Sequence, residues 1–278
     1  MHSLGKEIRL KRLIRQETNS SVICALDHGM TSPTFLSGLR DMKARVREAQ
    51  AGGANVFMLS KGFARIVVDE LHRETSFAMM LSAAAAGCPK PNIIVEIGQV
   101  EEALRLGADA VVVYVALNGE NEPEMINFVA RVGGECERLG MPFIAEAEYP
   151  SAYASLESLK QEYGYEYLLR NSRLCAELGA DIVKTNWPGD ADLFAKIVQA
   201  TQVPMVVAGG TLVSDEELLT RMELAMKAGA VGCSVGRNIF QHENPFAMTR
   251  ALARVIHERW PAKDALEELR ATLAQGKR

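Results

Sequence analysis

Apolar positions along this chain gather into short, nearly continuous runs, and the stretches between most of them carry helical spacing. The runs lie at about residues 22–27, 54–60, 76–82, 110–116, 142–149, 181–185, 204–208 and 231–236. Strands that are apolar on both faces belong to parallel sheets covered by helices. Eight such runs along residues 1–278 predict one α/β domain, a TIM (β/α)8 barrel with an N-terminal helix and an extra C-terminal helix.

A recurring junction supports the repeat. Gly52-Gly53-Ala54, Gly107-Ala108-Asp109, Gly179-Ala180-Asp181 and Gly229-Ala230-Val231 each close a helical pattern and open a strand. Glycine takes the left-handed conformation that stops a helix, and the small residues after it allow a tight turn. Ser214-x-x-Glu217 reads as a capping box, and Asn244-Pro245 as an N-cap followed by proline in the first turn. Leu266, Leu269 and Leu273 mark a last amphipathic helix. Leu4, Ile8 and Ile14 predict an opening helix at the base of the barrel or against a neighbouring subunit. Two stretches break the rhythm: residues 83–97, with room for an extra short strand, and residues 151–164, long enough to form a lid.

Composition narrows the class of partner. A net charge of -4 without a dense basic block argues against nucleic acid and anionic membranes, leaving a small molecule. Cys24, Cys88, Cys136, Cys175 and Cys233 stand singly, as reduced thiols of a cytoplasmic protein do. The start of the chain has no apolar signal core, and nowhere do eighteen apolar residues run together. His2, His28, His72, His242 and His257 are scattered without ligand spacing, so no metal and no cofactor are expected.

Barrel active sites collect at the carboxyl ends of strands. The candidates there are Asp27-His28-Gly29, Ser60-Lys61-Gly62, Ser82, Asn118, Tyr149, Lys184, Gly209-Gly210 and Gly236-Arg237. Lys184 is the candidate nucleophile. Desolvation and a facing cation such as Lys61 would lower its pKa and free the amine to attack a carbonyl, and the resulting iminium is an electron sink for carbon–carbon chemistry. Asp27 is placed to move protons beside that amine, and His28 to assist or to serve as a structural histidine. Strict alternation sends Ala145, Ala147 and then the Tyr149 phenol into the barrel. Glu146 and Glu148 would then face the helices, unless a bulge turns them inward. Gly209-Gly210 and Gly236-Arg237 end the last two strands, the usual phosphate site of barrels, and His28 and Lys61 join them as candidate substrate-binding residues.

Asp27-His28-Gly29, Tyr149-Pro150, Ile182-Val183-Lys184-Thr185, Val207-Ala208-Gly209-Gly210 and Val235-Gly236-Arg237-Asn238-Ile239-Phe240-Gln241 together resemble the archaeal-type class I aldolases of the DhnA/FbaB group, within the DeoC/LacD-like superfamily. The resemblance runs from about Leu4 to Glu268. It implies a metal-independent lyase that forms a Schiff base through Lys184, with Asp27 moving protons and Tyr149 as acid/base. It also implies phosphate binding by the two glycine turns, a phosphorylated ketose or aldehyde as substrate, and a homo-oligomer, in many members a decamer. A fructose-1,6-bisphosphate aldolase-like activity is the leading expectation. The alternatives are a 2-amino-3,7-dideoxy-D-threo-hept-6-ulosonate synthase, an autoinducer-2-type thiolase or a non-catalytic phosphosugar-binding protein. This chain departs from the family at Ser151-Ala152, where Arg-Gly is common, at Ala147-Glu148, where the bisphosphate aldolases have Trp-Ser, and at Thr211-Leu212, where Pro-Lys is common.

Overall fold

The computed structural model describes residues 3–85, 93–117, 119–150 and 156–276. Eight parallel strands close into a ring: β1 (Ser21–Ala25), β2 (Val56–Leu59), β3 (Ser76–Met80), β4 (Ala110–Val115), β5 (Phe143–Ala147), β6 (Ile182–Thr185), β7 (Met205–Ala208) and β8 (Gly232–Val235). Each pairs with the next in the chain, and β8 returns to β1 through Ser21 opposite Gly232. A Cβ on Gly232 would lie 1.9 Å from the Ser21 carbonyl oxygen, so the closing seam requires glycine.

All four expected junction glycines take positive φ: Gly53 at 113°, Gly107 at 80°, Gly179 at 98° and Gly229 at 104°. Two apolar layers result. Ile23, Val56, Met58, Met80, Val112, Ile144, Ile182 and Val206 fill the barrel, while Phe57, Val111, Phe143 and Val183 pack outward against helices.

The opening helix, Leu4–Leu13, closes the base of the barrel by contributing Leu13 to the inner cluster. Its buried Lys6 reaches Asp181 Oδ2 at 3.0 Å and Glu137 Oε2 at 3.1 Å. Asn55 ties the same floor together, accepting from the Val22 N–H and donating to the Leu13 carbonyl. Ser214 and Asn244 cap their helices through the Glu217 and Ala247 N–H groups. The last helix, Ala262–Gly276, packs on Asp215–Lys227 and Pro245–Ile256.

The extra strand expected within 83–97 is one arm of a two-stranded antiparallel hairpin, Ser82–Ala84 with Ile94–Glu96. Asn118 and residues 151–155 of the suggested lid lie outside the described residues, and 156–164 are helical up to Gly164. Among the described residues, no helix is long and apolar enough to cross a membrane.

Candidate active site

The inner face of the barrel changes from apolar to charged within one strand step. Ile144 and Ile182 belong to the inner apolar cluster, and two residues further on come Glu146 and Lys184, paired in register across β5 and β6. Tyr114 pairs with Glu146 across β4 and β5, so phenol, carboxylate and amine come from three adjacent strands at one level.

Lys184 is buried, with its Nζ 2.5 Å from Glu146 Oε1 and 2.8 Å from Glu148 Oε1. Asp27, just beyond β1, is buried and acts on the same amine. Burial works to lower the pKa of Lys184, but the charges of Glu146, Glu148 and Asp27 outweigh it and hold the ammonium above its ordinary value. Burial likewise raises Asp27 and Glu146, with Lys184 only partly opposing it. Three carboxylates around one ammonium leave a surplus of negative charge in a place shut off from water. Holding a proton on one of those carboxylates relieves it.

His28 follows Asp27, with Nδ1 3.7 Å from Asp27 Oδ1 and its ring edge-on to Phe240 at 5.1 Å. Burial first, then Arg237 and Lys184, lower its pKa to about 3, which makes it a neutral imidazole at physiological pH. Gly236 backs that ring closely: a Cβ there would meet His28 Cε1 at 2.3 Å and the Ala25 carbonyl oxygen at 2.7 Å.

The two glycine turns lie side by side, joined by the Gly209 N–H donating to the Ser234 carbonyl. Gly210 has φ 70°. Asn238 Nδ2 donates to the carbonyls of Gly209 and Thr211, and its Oδ1 accepts from the Val213 N–H, so one side chain fixes the whole 209–213 loop. The charge of Arg237 acts on both His28 and Tyr114.

Three expectations need correction. Ala145, Ala147 and Tyr149 do share a face, but it is the outer one. The Tyr149 ring stacks on Tyr167 at 5.9 Å and its hydroxyl donates to the Gly164 carbonyl at 3.2 Å, in the layer between the barrel and the helix Leu156–Glu177. Glu146 and Glu148 face inward because Lys184 is their partner there. Lys61 pairs instead with Glu102 Oε2 at 3.1 Å, and the pKa of Lys184, lowered by burial but raised more by Glu146, Glu148 and Asp27, ends above its ordinary value rather than below it. Sequence reasoning passed over Tyr114. Its signal was the alternation Ala110, Val112, Tyr114, which puts the phenol on the same inner face as two core residues.

A closed (β/α)8 barrel with a buried lysine among carboxylic acids at the carboxyl ends of its strands defines a protein built for carbonyl chemistry through an amine. A family model for DeoC/LacD family aldolases matches residues 21–242, and the chain belongs to that family. It is 34% identical over 258 residues to the 2-amino-3,7-dideoxy-D-threo-hept-6-ulosonate synthase of Halobacterium salinarum, covering 93% of this chain and 94% of that protein. It is also 34% identical over 254 residues to the 2-amino-4,5-dihydroxy-6-oxo-7-(phosphonooxy)heptanoate synthase of Streptomyces griseus, covering 91% and 90%. An archaeal fructose 1,6-bisphosphate aldolase superposes with a TM-score of 0.76 at 25% identity, over 91% of this chain and 99% of that one. A structure from a mechanistic study of the Schiff base forming fructose-1,6-bisphosphate aldolase gives 0.78, with the same identity and coverage.

Proposed function

We propose that this chain is a class I aldolase that makes or breaks a carbon–carbon bond in a phosphorylated ketose through a Schiff base on Lys184. The observation that carries the reading is the amine at the barrel mouth, 2.5 Å from Glu146 and 2.8 Å from Glu148, beside two glycine turns. In the first step the Lys184 ammonium passes a proton to a neighbouring carboxylate and the free amine adds to the substrate carbonyl. The carbinolamine hydroxyl leaves as water, taking a proton from the carboxylic acid, and an iminium remains. In the cleavage direction a carboxylate removes the proton of the hydroxyl β to the iminium carbon. The electrons of the breaking bond flow into the iminium, releasing an aldehyde and leaving an enamine. Protonation of the enamine and hydrolysis return the lysine.

Glu148 and Glu146 take the acid and base positions in this scheme, and Asp27 serves the carbinolamine steps. Gly209, Gly210, Gly236 and Arg237 receive the phosphate, with neutral His28 lining the same side. Fructose 1,6-bisphosphate is the first substrate to test, given the neighbours at 25% identity. A second reading, synthesis of an amino-oxo acid from an aldehyde and a ketose phosphate, draws on the two relatives at 34% identity and on the departures at Ser151 and Thr211. We further place the protein in the cytoplasm as a homo-oligomer, where exposed Phe63, Ile66 and Val68 would find cover.

Borohydride treatment with dihydroxyacetone phosphate, and separately with fructose 1,6-bisphosphate, tests the chemistry. The expected product is one reduced adduct on Lys184, absent from Lys184→Met. A clean negative with a panel of ketose phosphates refutes it and leaves a phosphosugar-binding protein.

A further inference from the structure

The acid beside Lys184 sits where β5 has already left the sheet. Ladder pairing of β5 ends at Ala147, opposite Val115 and Thr185, and the Glu148 N–H turns back to the Glu146 carbonyl at 2.9 Å. A strand end released this way has no fixed register of its own. Here side chains from both flanking strands supply the missing bonds. From β6 and its end, Thr185 Oγ1 donates to the Ala147 carbonyl at 2.8 Å, and Asn186 Oδ1 accepts from the Tyr149 N–H at 2.7 Å. From β4, the Tyr114 hydroxyl donates to the Tyr149 carbonyl at 2.6 Å. Tyr114 and Asn186 are both buried, so these bonds form without competition from water.

We propose that Tyr114 and Asn186 are positioning residues that clamp the main chain of Tyr149 at its carbonyl and its N–H and so hold the Glu148 carboxylate on Lys184. The clamp explains why an outward-facing tyrosine follows the acid: its main chain, not its phenol, is the part of Tyr149 that the site uses. It also settles the role of the inward phenol. The Tyr114 proton is committed to a carbonyl, so this hydroxyl acts through the backbone and not on the substrate. This inference rests on the aldolase reading for its effect on turnover, but its effect on the amine can be read without substrate.

The test is a double-mutant cycle of Tyr114→Phe and Glu148→Gln, in which Phe keeps the ring and removes only the bond to Tyr149. The first readout is acylation of Lys184 by a small anhydride at fixed pH, followed by mass spectrometry. A Glu148 that has lost its hold frees the amine, so Tyr114→Phe should raise the rate about tenfold, as a one-unit fall in pKa does. In the Glu148→Gln background the same change should have an effect below about twofold. The second readout is turnover: Tyr114→Phe should lower kcat about ten- to a hundredfold with little change in KM, in keeping with the cost of a displaced catalytic group. Asn186→Ala should act in the same direction. Equal effects of Tyr114→Phe in both backgrounds, or unchanged Lys184 reactivity with only a lower melting temperature, overturn the clamp. Failure of the wild type to form any ketose adduct refutes the aldolase reading instead, and the acylation cycle still decides the clamp.

Discussion

Replacing Lys184 by methionine removes the cation that faces a buried group of three carboxylates, and the consequence for stability is calculable. Breaking a buried ion pair by deleting one partner costs about 3–5 kcal/mol, because the remaining charge is left without compensation. In a chain longer than 150 residues each kcal/mol moves the melting temperature by roughly 2–4 °C, so the variant should melt about 6–20 °C lower near pH 8. The sign of the pH dependence follows from the carboxylates. Asp27 and Glu146 already have raised pKa values in the folded chain, and without Lys184 they rise further. A group that binds its proton more tightly when folded adds stability at low pH and loses it as pH climbs from the unfolded towards the folded pKa. The gap to the wild type should therefore narrow steadily as the pH falls from 8 towards about 5. Lys184 itself gives no such slope in the wild type over this range, since its raised pKa keeps it charged. Thermal melts of both proteins at half-unit pH steps decide the matter. A variant that melts within about 2 °C of the wild type at every pH would mean that the carboxylates do not depend on the ammonium.

Tyr149→Phe should leave kcat within about threefold of the wild type and cost about 1 kcal/mol in a denaturant melt, since only the bond to Gly164 is lost. Gly236→Ala should destabilise by about 1–3 kcal/mol, because the added methyl would overlap His28 and the Ala25 carbonyl; it should also raise KM for a phosphorylated ketose. Asn238→Ala, which frees the 209–213 loop, should raise KM for the phosphorylated substrate several-fold more than for its unphosphorylated counterpart, measured side by side. The His28 ring resonances should show no titration between pH 5 and 8 by NMR, in keeping with a pKa of about 3; a midpoint inside that range would contradict its burial and the charges of Arg237 and Lys184 acting on it.

The barrel was legible in the sequence because its grammar is local. A glycine that ends a helix and an apolar run that follows can be read within ten residues, and the positive φ values at Gly53, Gly107, Gly179 and Gly229 bear that reading out. The interior of the site was less so. Alternation along 142–149 separates Ala145, Ala147 and Tyr149 from Glu146 and Glu148 but does not label either face as inside. The general cost of burying carboxylates points them outward, and that rule yields here to a lysine 38 residues further along the chain. The same distance hid the amine's raised pKa, which is set by partners that only barrel closure brings together. Tyr114 escaped because it lies within an ordinary core strand and its hydroxyl bonds to another residue's backbone.

The seam between β1 and β8 bears on how this molecule comes into being. Every other pairing in the ring joins strands that follow one another along the chain, but Ser21 must find Gly232 across nearly the whole of it. Contacts between distant parts of a chain carry the largest loop-closure cost and form slowly. Until that contact forms, β1 and β8 are both open edges, the opening helix has no finished barrel to close, and Asp27 stands apart from Lys184. Closure of this seam is therefore what brings Asp27 and Lys184 into one site. An incompletely closed molecule would present two unpaired strand edges, which template aggregation.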